Sequence, residues 1–176
     1  MVKALLLVDF QKEWIAENRD YCIGSVDKTA SKAIRLMKRF HKLKLPVFII
    51  QHFELTGDYF SKQNSFSELI PQIAENKKES DYLIEKGKIS PFYNTNLEQK
   101  LKELNVDELV ISGLLTNLCV RSSASDAYDR DYKITIVSDA CQSNSKKIHK
   151  FTLEDLKHTR PEIELKKTSE VLKELK

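Results

Sequence analysis

The chain has 176 residues, 41% of them hydrophobic, and a formal net charge of +3, which suits one sizeable core and argues for a single domain over 1–176. The whole positive excess lies between Lys146 and Lys176, where nine Lys/Arg face six Asp/Glu; mixed signs without interleaved aromatics describe a solvated helical surface and argue against a nucleic-acid partner. The three cysteines, Cys22, Cys119 and Cys141, form neither a disulfide framework nor a CxxC pair, so a reducing compartment is expected.

Val2 to Val8, VKALLLV, is a nearly continuous apolar run of the kind found in parallel strands covered on both faces. It is too short to span a bilayer and lacks a signal-peptide cleavage pattern, so no membrane association and a cytoplasmic location are expected. Asp9 stands at this strand's carboxyl tip, with Gln11 and Trp14 in the loop beyond. From Ser25 to about Leu43, Val26, Ala30, Ala33, Ile34, Met37 and Phe40 recur at helical spacing, with Ser25 as a candidate N-cap. Leu45 to Gln51 reads as a second strand, with His52 just past its end. Phe53 to Ser67 then reads as a long loop expected to wall a pocket. A short helix near Glu68 to Glu75 leads to a third strand, Tyr82 to Glu85, which runs into Lys86.

Gly87 to Thr95 is irregular, and Pro91 disfavours helix at Ser90. Asn94 or Thr95 caps a helix whose Leu97, Leu101 and Leu104 share one face. The fourth strand, Glu108 to Ile111, is ended by Ser112-Gly113, and a polar turn at Thr116-Asn117 follows. Cys119 opens the next helix, which runs to about Arg130. The first turn of a helix favours a thiolate through unpaired N–H groups and a partial positive charge; read alone, a lone cysteine is more often a small buried hydrophobe. Lys133 to Ser138 makes a fifth strand ending at Asp139, Ser145 begins another helix, and Ile163 to Leu165 is a short sixth strand. Thr168 or Ser169 caps the terminal helix.

Strand and helix alternate throughout, which implies an α/β fold with a parallel sheet between helical layers. Ligands of such sheets bind outside the carboxyl ends of the strands. Asp9, Lys86 and Cys119 each fall at or just after such an end. One could be a cap, one a surface charge and one a packing residue, but an acid, a cation and a thiol converging on one edge favour a site. A flavodoxin-like nucleotide site would need a glycine-rich turn after the first strand, where Asp9-Phe10-Gln11 stands instead.

Three segments carry a resemblance: DFQKEW at Asp9 to Trp14, KGKISPFYNTNL at Lys86 to Leu97, and GLLTNLCVRSSASDA at Gly113 to Ala127. In order and spacing they resemble the signature segments of the isochorismatase-like cysteine hydrolases, a superfamily that includes isochorismatases, nicotinamidases, N-carbamoylsarcosine amidases and ureidoacrylate hydrolases. The resemblance spans nearly the whole chain. It implies a three-layer α/β/α sandwich with a six-stranded parallel sheet in the order 3-2-1-4-5-6, and a catalytic triad of Asp9, Lys86 and Cys119. Lys88 is a rival for the lysine, but the family's register places it six residues before the aromatic of the SPF segment, Phe92, and so selects Lys86. The resemblance further implies a cis peptide between Leu114 and Leu115 and an oxyanion hole of the Leu115 and Cys119 N–H groups. Phe10, Trp14 and Phe92 are expected to line an apolar slot for a small planar substrate, with core packing as the alternative for each. Family members are often dimers or larger, so a homo-oligomer is expected.

The resemblance is imperfect after the second strand. Nicotinamidases resembling this family carry an Asp-x-His and a further His there to bind a metal, whereas QHFELTGDYFSKQNSF offers His52 alone, with Glu54 and Asp58 nearby. One imidazole makes a poor transition-metal site, so neither a metal nor another cofactor is expected. The reading is a cysteine hydrolase of a small amide or carbamoyl compound acting through a thioester. Isochorismatase-type or nicotinamidase activity, or a non-catalytic scaffold of the same fold, are the alternatives.

Overall fold

The computed structural model describes residues 1–175. Its centre is a six-stranded sheet in the order β3-β2-β1-β4-β5-β6, with every pairing parallel. The strands are β1 (Val2–Val8), β2 (Val47–His52), β3 (Tyr82–Lys86), β4 (Val106–Leu114), β5 (Lys133–Gln142) and β6 (Glu164–Lys166). The helices are α1 (Asp27–Lys42), α2 (Pro71–Ala74), α3 (Leu97–Glu103), α4 (Arg121–Tyr128), α5 (Lys146–Thr159) and α6 (Thr168–Glu174).

Successive side chains of a strand point to opposite faces, so β1 feeds two cores. Ala4, Leu6 and Val8 pack with Leu97 and Leu101 of α3, Ala124 and Ala127 of α4, and Leu153 and Leu156 of α5. Leu5 and Leu7 pack with Ala30, Ala33, Met37 and Phe40 of α1, Ile73 of α2 and Val171 of α6. A strand buried on both faces has no polar face to alternate with, which is why VKALLLV reads as a run. Among the described residues no helix is long and apolar enough to cross a membrane.

Several expected boundaries move, each for a local reason. Leu45 does not begin β2: its N–H closes α1 by donating to the Phe40 carbonyl at 3.0 Å, and the strand starts only after Pro46. Val26, not Ser25, is the N-cap of α1; the Ser25 hydroxyl still accepts the Asp27 N–H at 3.2 Å. Asn96 precedes α3, with the Thr95 hydroxyl accepting from the Leu97 N–H at 3.2 Å. The expected cap of α5 is in place, the Ser145 side chain accepting from the Ile148 N–H. Lys167 takes that position before α6, because Thr168 instead gives its N–H and hydroxyl to Asp139 at 2.7 and 2.8 Å.

The largest correction concerns β4 and β5, which run on to Leu114 and Gln142 rather than ending at Ile111 and Ser138. Ser112-Gly113 does not stop the strand. Gly113, at φ +150°, pairs with Val8 on one side and Cys141 on the other. A Cβ there would lie 2.2 Å from the Val8 carbonyl oxygen. The glycine therefore marks a close approach of two backbones, one of the uses of glycine inside a strand.

Candidate active site

The connection that follows β1 and β2 moves outward to β3, and the chain then returns to lay β4 on the other side of β1. Strand order reverses between β1 and β4, and the crevice outside their carboxyl ends is where such sheets bind ligands. Asp9 follows the last residue of β1, Lys86 ends β3, and Cys119 follows β4. The structure brings these three together. Lys86 Nζ lies 2.8 Å from Asp9 Oδ2 and 3.4 Å from Cys119 Sγ. The Asp9 and Lys86 side chains are both fully buried.

Asp9 holds a positive φ of 53°, a conformation that Asp tolerates better than most residues. Its contact with Lys86 is an ion pair without hydrogen-bond alignment, and neither carboxylate oxygen has a hydrogen-bond partner among the described residues. Lys86 comes from two strands away, so its side chain must pass the tip of β2. On the way its ammonium donates to the Lys88 carbonyl at 3.2 Å and approaches His52 Nδ1 at 3.4 Å. His52 is the direct register partner of Lys86. Its backbone is clamped by Gln11, which accepts the His52 N–H at 2.8 Å and donates to the His52 carbonyl at 2.9 Å.

Cys119 sits in a single π-helical turn, Thr116–Val120, that precedes α4; such turns often mark functional sites. The peptide between Leu114 and Leu115 is cis. The electrostatics differ from those expected of a helix start. Burial pushes the Cys119 thiol well above its ordinary range, the Asp9 carboxylate adds to that rise, and Lys86 opposes it without cancelling it. Burial alone would lower the Lys86 ammonium, but the charges of Asp9 and then Cys119 carry it above its usual value. A thiol pushed upward in this way calls for a base to become a nucleophile.

A cavity of about 520 Å³ opens above Cys119. Trp14, Tyr21, Tyr59, Phe60, Ile89 and Leu118 form its apolar wall, and His52, Glu54 and Lys88 its polar part. The loop after β2 does wall it, through Glu54, Thr56, Gly57, Tyr59 and Phe60. Trp14 lies against Phe60, ring centroids 4.9 Å apart. The other two expected slot residues lie elsewhere. Phe10 is packed in the α1 core and Phe92 in the α3–α5 core, where Phe92 carries Arg130 on its ring face. Position beside a signature segment does not set the direction of a side chain; the layer its loop packs against does. Leu115 is buried, and Leu118 rather than Leu115 walls the cavity beside Cys119.

The residues missed in the sequence were Tyr21, Tyr59, Phe60 and Leu118, together with the contact between His52 and Lys86. The length of the Phe53–Ser67 segment hints at Tyr59 and Phe60; no sequence signal points to Tyr21 or Leu118. Asp58, considered as a companion of His52, instead pairs with Arg19, while Glu54 accepts from His52 Nε2 at 2.7 Å. Among the described residues no three His, Cys, Asp or Glu side chains are grouped to hold a metal ion. A larger cavity, about 730 Å³, lies at the amino-terminal edge of the strands near Lys3, Glu108 and Thr135. No cysteine lines it, and Lys3 and Glu108 pair with each other at 2.8 Å, whereas Cys119 lines the smaller one.

The family model for the Isochorismatase domain matches residues 3–164. The isochorismatase family protein YaaI of Bacillus subtilis is 32% identical over 158 residues, covering 86% of each chain. YddQ of the same organism is 29% identical over 150 residues, covering 84% of this chain and 82% of its own. Among solved structures, N-carbamoylsarcosine amidase from Thermoplasma acidophilum superposes with a TM-score of 0.83 at 28% identity, over 96% of this chain and 97% of that one. With a family match over nearly its whole length, this chain belongs to the isochorismatase family.

Proposed function

We infer that this isochorismatase-family hydrolase cleaves the C–N bond of a small amide or carbamoyl compound through a thioester on Cys119. The observation that carries the reading is the meeting of carboxylate, ammonium and sulfur, drawn from three separate segments, with Cys119 lining a cavity and the buried Asp9 and Lys86 behind it. The likeness to an N-carbamoylsarcosine amidase supports the amide class.

In this mechanism Asp9 removes the proton of the Cys119 thiol, since its carboxylate oxygens have no hydrogen-bond partner among the described residues. Lys86 neutralises the resulting sulfur charge. The thiolate forms a C–S bond to the substrate carbonyl, and the oxyanion is held by the Leu115 and Cys119 N–H groups, each such donor typically contributing about 3 kcal/mol to the transition state. The tetrahedral species collapses, the C–N bond breaks, and protonated Asp9 returns its proton to the departing nitrogen. A water molecule, its proton taken by Asp9, then adds to the thioester and releases the acid and the thiol. Trp14, Tyr59 and Phe60 shape an apolar slot against which a planar acyl group packs.

The test is a panel of nicotinamide, N-carbamoyl amino acids, ureides, other small amides and isochorismate, assayed for ammonia or acid release with Cys119→Ala as the control. Release from a C–N substrate that the control abolishes is the expected result. Turnover by the control at the parent rate removes the covalent mechanism, and turnover of isochorismate alone removes the amide class.

A further inference from the structure

We propose that His52, oriented by Glu54 and clamped by Gln11, is a positioning residue that holds the Lys86 ammonium over Asp9 and Cys119. The proposal rests on the triad reading and extends it to a residue outside the triad. The starting point is topological. β2 lies between β3 and β1, so the lysine that ends β3 can reach the carboxylate after β1 only by passing the end of β2. The residue in register there is His52.

An ammonium has three N–H donors. Four groups lie within reach of Lys86 Nζ: Asp9 Oδ2 at 2.8 Å, the Lys88 carbonyl at 3.2 Å, and Cys119 Sγ and His52 Nδ1 each at 3.4 Å. The nitrogen of His52 that faces an ammonium must be the one without a proton. That leaves the proton on Nε2, 2.7 Å from Glu54 Oε1, and the carboxylate fixes this tautomer. Gln11 grips the backbone of His52 on both sides and donates to the Ser67 carbonyl at 2.7 Å. Phe60 meets the imidazole edge-on at 5.3 Å. The charged groups facing the ring are thus Lys86 on one side and Glu54 on the other, with Asp9 and Cys119 beyond the lysine.

A long, flexible lysine stem buried with three competing acceptors has several places to put its charge. A neutral acceptor on the β2 side pins the stem in the position from which the ammonium faces Asp9 and donates to the sulfur. Without it the ammonium settles toward the Lys88 carbonyl and Asp9, and the thiolate loses its cation. His52 forms no bond to substrate in this role; it acts through Lys86.

The experiment follows alkylation of Cys119 by iodoacetamide, read peptide by peptide by mass spectrometry, from about pH 6 to about pH 10. The proteins are the parent, His52→Phe, His52→Asn and Lys86→Met. Phenylalanine keeps the packing against Phe60 and removes the acceptor; asparagine returns an acceptor near the Nδ1 position. We expect His52→Phe to slow alkylation at neutral pH about tenfold, the scale of one lost hydrogen bond to a charged group, and to shift the rise of the profile to higher pH. His52→Asn is expected to restore most of both. Should His52→Phe fail to fold, His52→Gln replaces it, since its acceptor lies too far along the chain to match Nδ1. An unchanged profile in His52→Phe while Lys86→Met alkylates slowly overturns the positioning role alone, as does an asparagine variant no better than phenylalanine. If Lys86→Met itself alkylates like the parent, the triad reading falls and this proposal with it.

Discussion

Replacing Gly113 with alanine tests how the sheet builds the site. The new Cβ would meet the Val8 carbonyl oxygen at 2.2 Å, the Val8 Cβ at 2.7 Å and the Val8 nitrogen at 2.8 Å. Two of these three are backbone atoms in the β1–β4 pairing, where Val8 and Gly113 are register partners, so neither can turn aside as a flexible side chain would. A backbone held at φ +150° adds roughly 1–3 kcal/mol for a residue with a Cβ, and forcing a methyl into a filled space adds roughly another 1–3 kcal/mol. The sum, about 2–6 kcal/mol, is a large share of a typical domain's 5–15 kcal/mol. Urea unfolding followed by circular dichroism is the assay. With a slope of about 2 kcal/mol per molar, the midpoint is expected to fall by roughly 1–3 M. Because Val8 precedes Asp9 and Gly113 lies in the strand that leads to Cys119, the folded fraction is also expected to alkylate Cys119 more slowly than the parent. A midpoint shift below about 0.2 M with normal alkylation would refute the close-approach argument.

Glu13 is fully buried and pairs with Arg19 at 2.6 Å while accepting the Phe60 N–H at 3.1 Å. Glu13→Ala is expected to destabilise the fold by about 3 kcal/mol and to raise KM more than it lowers kcat, because the wall formed by Tyr59 and Phe60 loosens; unchanged KM would count against that link. Asp139 ties α1 to α6: burial alone would raise its carboxyl, but Lys32 and the N–H and hydroxyl of Thr168 hold it below its ordinary value. A folded-state pKa below the unfolded one stabilises above about pH 4 and is lost as pH falls through the folded value. Asp139→Asn is therefore expected to cost roughly 1–3 kcal/mol at neutral pH, with the gap to the parent closing in acid; a gap independent of pH would exclude the linkage. Alkylation of Cys119 in the parent is expected to climb steadily above pH 8.5, an unperturbed cysteine's pKa being about 8.5, because burial and Asp9 raise the thiol. A plateau already reached near neutral pH would mean a thiolate at rest.

Much of the architecture was legible in the residues. The run VKALLLV could be satisfied only by a strand covered on both faces, and Ser145 capped its helix where its position suggested. Strand ends were less legible. Ser112-Gly113 looked like a stop because glycine usually punctuates, yet here its missing side chain admits Val8, a requirement set by a partner more than a hundred residues away in sequence. The same limit explains Phe10 and Phe92. Both flank segments that carry reactive groups, but which way a ring points depends on which layer its loop packs against, and both are packed in cores.

The sequence by itself determined the alternation of elements, the family, and the placement of an acid, a lysine and a cysteine at strand ends, because these follow from local periodicity and short motifs. Tertiary structure alone decided how those groups see one another. Lys86 passes the tip of a strand that separates it from Asp9, and so touches His52. The cavity wall comes from a loop whose aromatics carry no periodic signal. The Cys119 thiol is pushed up rather than down, since the helix-start argument counts the charge on nearby N–H groups, while the outcome rests on burial and on a carboxylate brought from the other end of the chain. Proximity in space is a property of the packed whole, and no stretch of residues encodes it separately.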